Sequence, residues 1–222
     1  MKKFFVILFL FLFTAQVCQA EPPLTMEKTT AKSHARQSFN LRSVEGAWYE
    51  VYIVGEREKL LVDWLWAPND EIFTADYHVY LGSDNQSKLS LQNVEFFGRY
   101  DKDNQRINMT RPNRDGFHRV EGVNGMPDLL ISKIQVTGGG YFDMKVFAVK
   151  NGRLHLVKFL NKDNQTLYEN FNTTSVPTTY LDNGTLYVPW HTNAMPGAGA
   201  YVTVYMLDID NLILIPAYTN KR

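Results

Sequence analysis

From Val44 onward the chain alternates apolar and polar positions. In Phe73, Ala75, Tyr77, Val79 and Leu81 one face is apolar, while Thr74, Asp76, His78 and Tyr80 make the other. A period of two marks a half-buried β-strand, because successive side chains leave the pleat on opposite faces. Comparable runs rich in Val, Ile, Tyr and Phe cover residues 47–54, 88–97, 129–136, 141–149, 153–160, 185–190, 200–207 and 212–218. Helical spacing is confined to one turn near residues 56–64.

The connections agree with this reading. Asp-Asn pairs stand at 84–85, 103–104, 163–164, 182–183 and 210–211, and Lys150-Asn151-Gly152 makes a sixth tight link. Asn and Asp tolerate positive φ and hydrogen-bond their own backbone, as short hairpin loops require. The expected fold is therefore all-β, an antiparallel meander of about nine to eleven strands; a sheet of that width closes into a β-sandwich or a β-barrel. No longer unit repeats in the way a propeller would demand.

The first residues follow another rule. Lys2 and Lys3 precede an apolar run from Phe4 to Phe13, and Cys18-Gln19-Ala20 offers small residues for cleavage before Glu21. This predicts a secretory signal peptide over residues 1–20 and a periplasmic or secreted product. The run is shorter than the roughly 20 apolar residues of a membrane-spanning helix, so a chain that does not span the membrane is expected. Residues 21–43 are polar, contain Pro22 and Pro23, and read as a flexible lead-in to a single all-β domain at 44–222.

Composition narrows the function. Without residues 1–20 the chain holds 21 Lys and Arg against 23 Asp and Glu, so it lacks the positive charge with which proteins neutralise nucleic-acid phosphates. The only cysteine, Cys18, lies in the leader. A disulfide-free exported chain points to a bacterial envelope rather than a eukaryotic secretory route. Five Asn-x-Ser/Thr sequons, at Asn85, Asn108, Asn164, Asn172 and Asn183, are weak signals in a chain so rich in Asn and Thr.

Candidate chemistry is sparse. Asp76 and His78 share one strand face about 7 Å apart, the placement of a base and its orienting carboxylate, and would serve a hydrolase or glycan-active enzyme. Alternating acid and amide residues at Asp101/Asp103, Asn161/Asp163 and Asp208/Asp210 suit either hairpin turns or a calcium loop, in which every second side chain converges on one point. The segment from Val123 to Ile131, followed by Gly138-Gly139-Gly140 and the run at 141–149, resembles one copy of the FG-GAP-type calcium repeat. That resemblance implies calcium held by Asn124 and Asp128, with Val120 and Gly122 standing where the family places its other ligands. Gly46-Ala47-Trp48 resembles the opening strand of lipocalins, which implies a barrel closed at its base by Trp48 around a small apolar ligand.

Two loops complete the candidates. Trp64 and Trp66 stand two apart beside a turn and project to one side of an extended chain, as a protein interface or sugar platform needs. Residues 191–200, with His191 and Met195 among small residues, form a second binding-loop candidate. The leading expectation is a non-catalytic exported envelope protein that binds a protein or glycan through its loops, in the manner of inhibitors and immunity proteins, without a cofactor. A lipocalin-like carrier is the first alternative and an enzyme using Asp76 and His78 the second.

Overall fold

The computed structural model describes residues 24–62, 69–97, 105–111, 115–135, 142–161, 163, 165–173, 179–180, 184–191 and 200–221. These carry β1 (Thr25–Glu27), α1 (Lys28–His34), β2 (Ala35–Arg42), β3 (Trp48–Leu61), β4 (Ile72–Ser83), β5 (Lys88–Leu91), β6 (Arg106–Asn108) and β7 (Gly116–Val120). There follow β8 (Leu129–Gln135), β9 (Phe142–Lys150), β10 (Arg153–Asn161), β11 (Thr166–Tyr168), β12 (Phe171–Thr173), β13 (Thr179–Tyr180), β14 (Thr185–His191), β15 (Ala200–Asp208) and β16 (Ile213–Lys221). The leader at 1–20 lies outside the described residues.

The protein is all-β, as the alternation predicts. One six-stranded sheet has the order β1-β5-β4-β3-β2 with β6 on β4; a ten-stranded sheet has the order β13-β14-β15-β16-β10-β9-β8-β7 with β11 on β10 and β12 on β9. The sheets face each other across a core that includes Val51, Ile53, Val79 and Leu81 from one and Phe117, Leu130, Phe147 and Val149 from the other. The larger sheet also curls into a half-barrel, enclosing Ile131, Val146, Val157, Phe159, Leu186, Val188 and Leu214 on its second face. This explains why β9 is buried along nearly its whole length rather than at alternate positions. Its odd positions Phe147 and Val149 meet the first sheet, and its even positions Met144, Val146 and Ala148 line the half-barrel.

Several expectations change. Among the described residues the strand pairs are antiparallel except β10 with β16, whose strands run parallel. Short strands such as β6, β11 and β12 raise the number above eleven. Residues 25–42, read as part of a flexible lead-in, form β1, α1 and β2, and the helical turn suggested at 56–64 is instead the end of β3 as far as it is described. The lead-in hid its structure because α1 has seven residues and buries only Ala31, too little to print a helical period. Ala31 covers Tyr52, Val54, Tyr80 and Leu89 on the outer face of the first sheet. Tyr80, expected on a solvent face, is consequently buried.

Two gaps between strands frame the rest. At the first, edge strands β2 and β7 of the two sheets come together without a backbone ladder. The Gln37 side chain substitutes for one: its Oε1 accepts from the Phe117 N–H at 2.9 Å, and its Nε2 donates to the Phe117 carbonyl at 3.2 Å. At the end of the same gap, Asp128 is 1% exposed and accepts from the Arg42 N–H, the Gly122 N–H and Arg119 Nε at 2.8–2.9 Å. The loop that delivers Asp128 turns at Asn124 (φ 50°) and Gly125 (φ 88°), with the Met126 N–H on the Val123 carbonyl at 3.1 Å. Positive φ at both central residues is what an Asn-Gly turn supplies. A Cβ on Gly122 would fall 2.3 Å from the Met126 and Pro127 carbonyl oxygens, so only glycine fits there.

Candidate functional site

The second gap stays open. β10 and β16 pair only at Lys158 with Ile213 and Phe159 with Leu214. Past that point β10 continues to Asn161 with β11 on its other side, while β16 continues to Lys221 with β15 on its other side. Between the diverging strands lies a cleft of about 490 Å³. That size falls in the range of small-ligand sites, about 300–1,000 Å³.

The floor is aromatic. Phe159 and Phe171 stack with centroids 5.0 Å apart, and Tyr205 meets each edge-on at 5.5 and 5.6 Å. Burial pushes the Tyr205 hydroxyl well above the usual tyrosine range, so it stays a neutral phenol. Tyr168 of β11 and Tyr218 of β16 stand on the walls, 43% and 49% exposed. A hydrogen bond between Tyr187 and Tyr218 raises the Tyr187 hydroxyl and ties the Tyr218 ring to β14.

The rim is polar and almost uncharged. Thr203 and Thr219 hydrogen-bond each other across the strand pair at 2.9 Å. Asn161 accepts from the Asp163 N–H at 2.9 Å, and Asn170 donates to both carboxylate oxygens of Asp143 at 3.1 and 3.2 Å. Burial raises the Asp143 carboxyl, opposed by the Asn170 bond and by Lys145. Asp163 is the one ionisable acid among the described lining residues, and no Lys, Arg or His is among them. Lys158 of β10 pairs with Glu169 instead, at 3.8 Å.

The backbone on the β16 wall is broken up. The β15–β16 register slips between Val204 and Tyr205, because Ala217 is an extra residue between Tyr218 and Pro216. Proline carries no N–H, and a bulge throws the following residues out of phase. Both are ways in which sheet edges avoid pairing with another strand.

Most residues singled out from sequence lie elsewhere. Asp76 and His78 do share a face of β4, but each is paired across to β3: Asp76 with Arg57, and His78 Nε2 with Glu56 at 3.7 Å. A shallower trough of about 220 Å³ runs along Asp76, Arg57 and Lys59. The Asp128 carboxylate, a calcium candidate, faces three N–H donors, and Asn124 occupies the exposed turn. Asp208 accepts from the Asp210 N–H and from the Asn211 backbone and side chain at 2.8–3.1 Å. Those Asn211 bonds hold the Asp208 carboxyl below its ordinary value, and Asp210 sits exposed in the same turn. Among the described residues no three His, Cys, Asp or Glu side chains gather to hold a metal. Trp48 is 45% exposed, with the Arg119 guanidinium 5.5 Å above its ring, and so does not close a barrel base. Trp64, Trp66, Met195, Asp101 and Asp103 lie outside the described residues; His191 ends β14.

Of the cleft residues, the sequence singles out as candidate chemistry only Asn161 and Asp163, as a hairpin turn or calcium loop, and assigns several others to strands. One signal for the rest was present. Pro216 inside the apolar run 212–218 marks an edge strand, and an edge within a continuous sheet implies a gap beside it. No known protein family, curated protein or solved structure matches this chain. No helix among the described residues is long and apolar enough to cross a membrane.

Proposed function

We propose that this chain is a non-catalytic binding protein of the bacterial cell envelope, exported behind residues 1–20, whose partner seats in the cleft between β10 and β16. The observation that carries the reading is the cleft itself. A sheet is held open over a floor of three packed rings, Phe159 and Tyr205 buried and Phe171 partly so, and is rimmed by hydroxyl and amide groups, which recognise by contact and hydrogen bonding rather than by proton transfer. The floor also weighs against a carrier with a sealed apolar cavity, since Phe159, Phe171 and Tyr205 fill the space with one another.

The test is to plug the cleft. The full chain is expressed with its leader, and the mature form is used to capture material from an envelope extract of the producing bacterium, beside an Ala217→Arg variant of the same melting temperature. Ala217 lies exposed on the cleft wall, so the variant fills the opening without disturbing the core. The partner should be retained by the parent and lost by the variant. Equal retention by both proteins places binding elsewhere and overturns the proposal. N-terminal sequencing of the mature form should begin at Glu21; an unprocessed chain would remove the envelope assignment.

A further inference from the structure

The geometry points to a neutral oligosaccharide as the ligand of this cleft, an inference that rests on the cleft being the binding site. Three observations select the class. The first is charge: with no cationic side chain among the described lining residues and Asp163 on the rim, a phosphate, sulfate or carboxylate ligand would meet no counter-charge and one like charge.

The second is the mixture of surfaces. The exposed Tyr168 ring, paired across from Phe159, adds to the aromatic floor, while Asn161 and the paired Thr203 and Thr219 offer amide and hydroxyl groups beside it. A pyranose has the matching halves. Its axial C–H groups form an apolar face that stacks on an aromatic ring, and its equatorial hydroxyls radiate in the ring plane as both donors and acceptors. A fatty acyl chain would leave the rim groups without partners, at the desolvation cost of each.

The third is the wall. A peptide would enter such a gap as an added strand on β16, reading the backbone edge. On this edge Pro216 has no N–H to give and the extra residue Ala217 breaks the register, so strand addition is blocked where the cleft is deepest in aromatic contact. Recognition then falls to side chains, which suits a saccharide.

Binding is measured by calorimetry on the mature protein with maltohexaose, cellohexaose and chitohexaose, and by capture from the envelope extract before and after treatment. Periodate cleaves vicinal diols and destroys sugars; protease destroys peptides. The expected results are binding to at least one oligosaccharide or to an extract component lost on periodate and kept on protease. Its affinity should be indifferent to salt, because no full charges meet. Tyr168→Ala should weaken it about tenfold without lowering the melting temperature, since the ring is exposed. A captured partner that survives periodate, whether it is lost to protease or to lipid extraction, overturns the glycan assignment. If Ala217→Arg still releases that partner, the binding reading stands while the ligand class falls; if it does not, the cleft reading falls first.

Discussion

Among the described residues two gaps between strand edges can be compared, and they are treated in opposite ways. Between β2 and β7 the missing ladder is replaced by side chains. Gln37 presents an amide to Phe117 as a neighbouring strand would, and Asp128 gathers N–H groups from β2, from the 121–128 loop and from Arg119. Between β10 and β16 nothing of the kind is found among the described residues; a proline and an extra residue occupy the edge, and three aromatic rings seal the bottom. Sealing such a gap takes one glutamine and one aspartate. The open gap in the same chain instead has its edge blunted by Pro216 and the extra residue Ala217 and its floor packed with rings.

The largest expected effect breaks the sealed gap. Asp128→Ala leaves the Arg119 guanidinium and two buried N–H groups without their acceptor, at a cost of about 3–5 kcal/mol. Urea unfolding followed by circular dichroism measures it, and a loss under about 1 kcal/mol would mean the clamp is dispensable. Gln37→Ala comes next. It strips partners from the backbone N–H and C=O of Phe117, a residue 1% exposed, and should cost about 2–3 kcal/mol. Neither change should alter ligand affinity in the cleft, which shares no residue with this gap.

Much of this was legible in advance, and the limits have physical reasons. The alternation in Phe73–Leu81 gave β4 because Tyr77, Val79 and Leu81 face the core between the sheets. The Lys150-Asn151-Gly152 turn was legible because Asn151 and Gly152 both take positive φ, which few residues accept. The cleft was not, because it arises from a parallel pairing between segments more than fifty residues apart, and no local pattern encodes a partner. The N–H partners of Asp128 were not legible for a related reason. An isolated acidic residue after a turn looks the same whether it meets a cation or a set of N–H groups, and only the fold brings Arg42 and Arg119 to it.

His118 sharpens the comparison through pH. It sits on β7, the edge strand of the sealed gap, with both ring nitrogens buried and unbonded. Burial, aided by the nearby charge of Lys133, pushes its pKa down from 6.5 to about 3. A base whose folded pKa is depressed stabilises the native state above its unfolded pKa and loses that contribution as pH falls, because the unfolded chain takes up a proton that the folded one refuses. Acidification from about pH 7 to about pH 5 should therefore remove about 2 kcal/mol at this residue. His118→Leu, which carries no such proton, should flatten that slope in paired urea titrations. An unchanged slope would place the titrating group elsewhere.

The smallest expected effect compares two buried aspartates, one from each gap. Asp128 answers to three N–H donors, one of them a guanidinium. Asp143, behind the cleft rim, answers to the Asn170 amide, and burial raises its carboxyl above the ordinary value. For an acid this reverses the sense of the linkage. The charged form is disfavoured in the folded state, so Asp143 detracts from stability near neutrality, and that penalty is relieved as pH falls through the raised value towards 3.8. Asp143→Asn keeps the shape and removes the charge. It should be neutral or stabilising at neutral pH, by less than about 1 kcal/mol, with the advantage fading on acidification. The same exchange at Asp128 should destabilise at neutral pH, because an amide nitrogen there would face donors. Paired unfolding curves at two pH values decide the matter: if both exchanges destabilise near neutrality, Asp143 is pinned as Asp128 is, and the open gap is braced from behind rather than left free to receive a ligand.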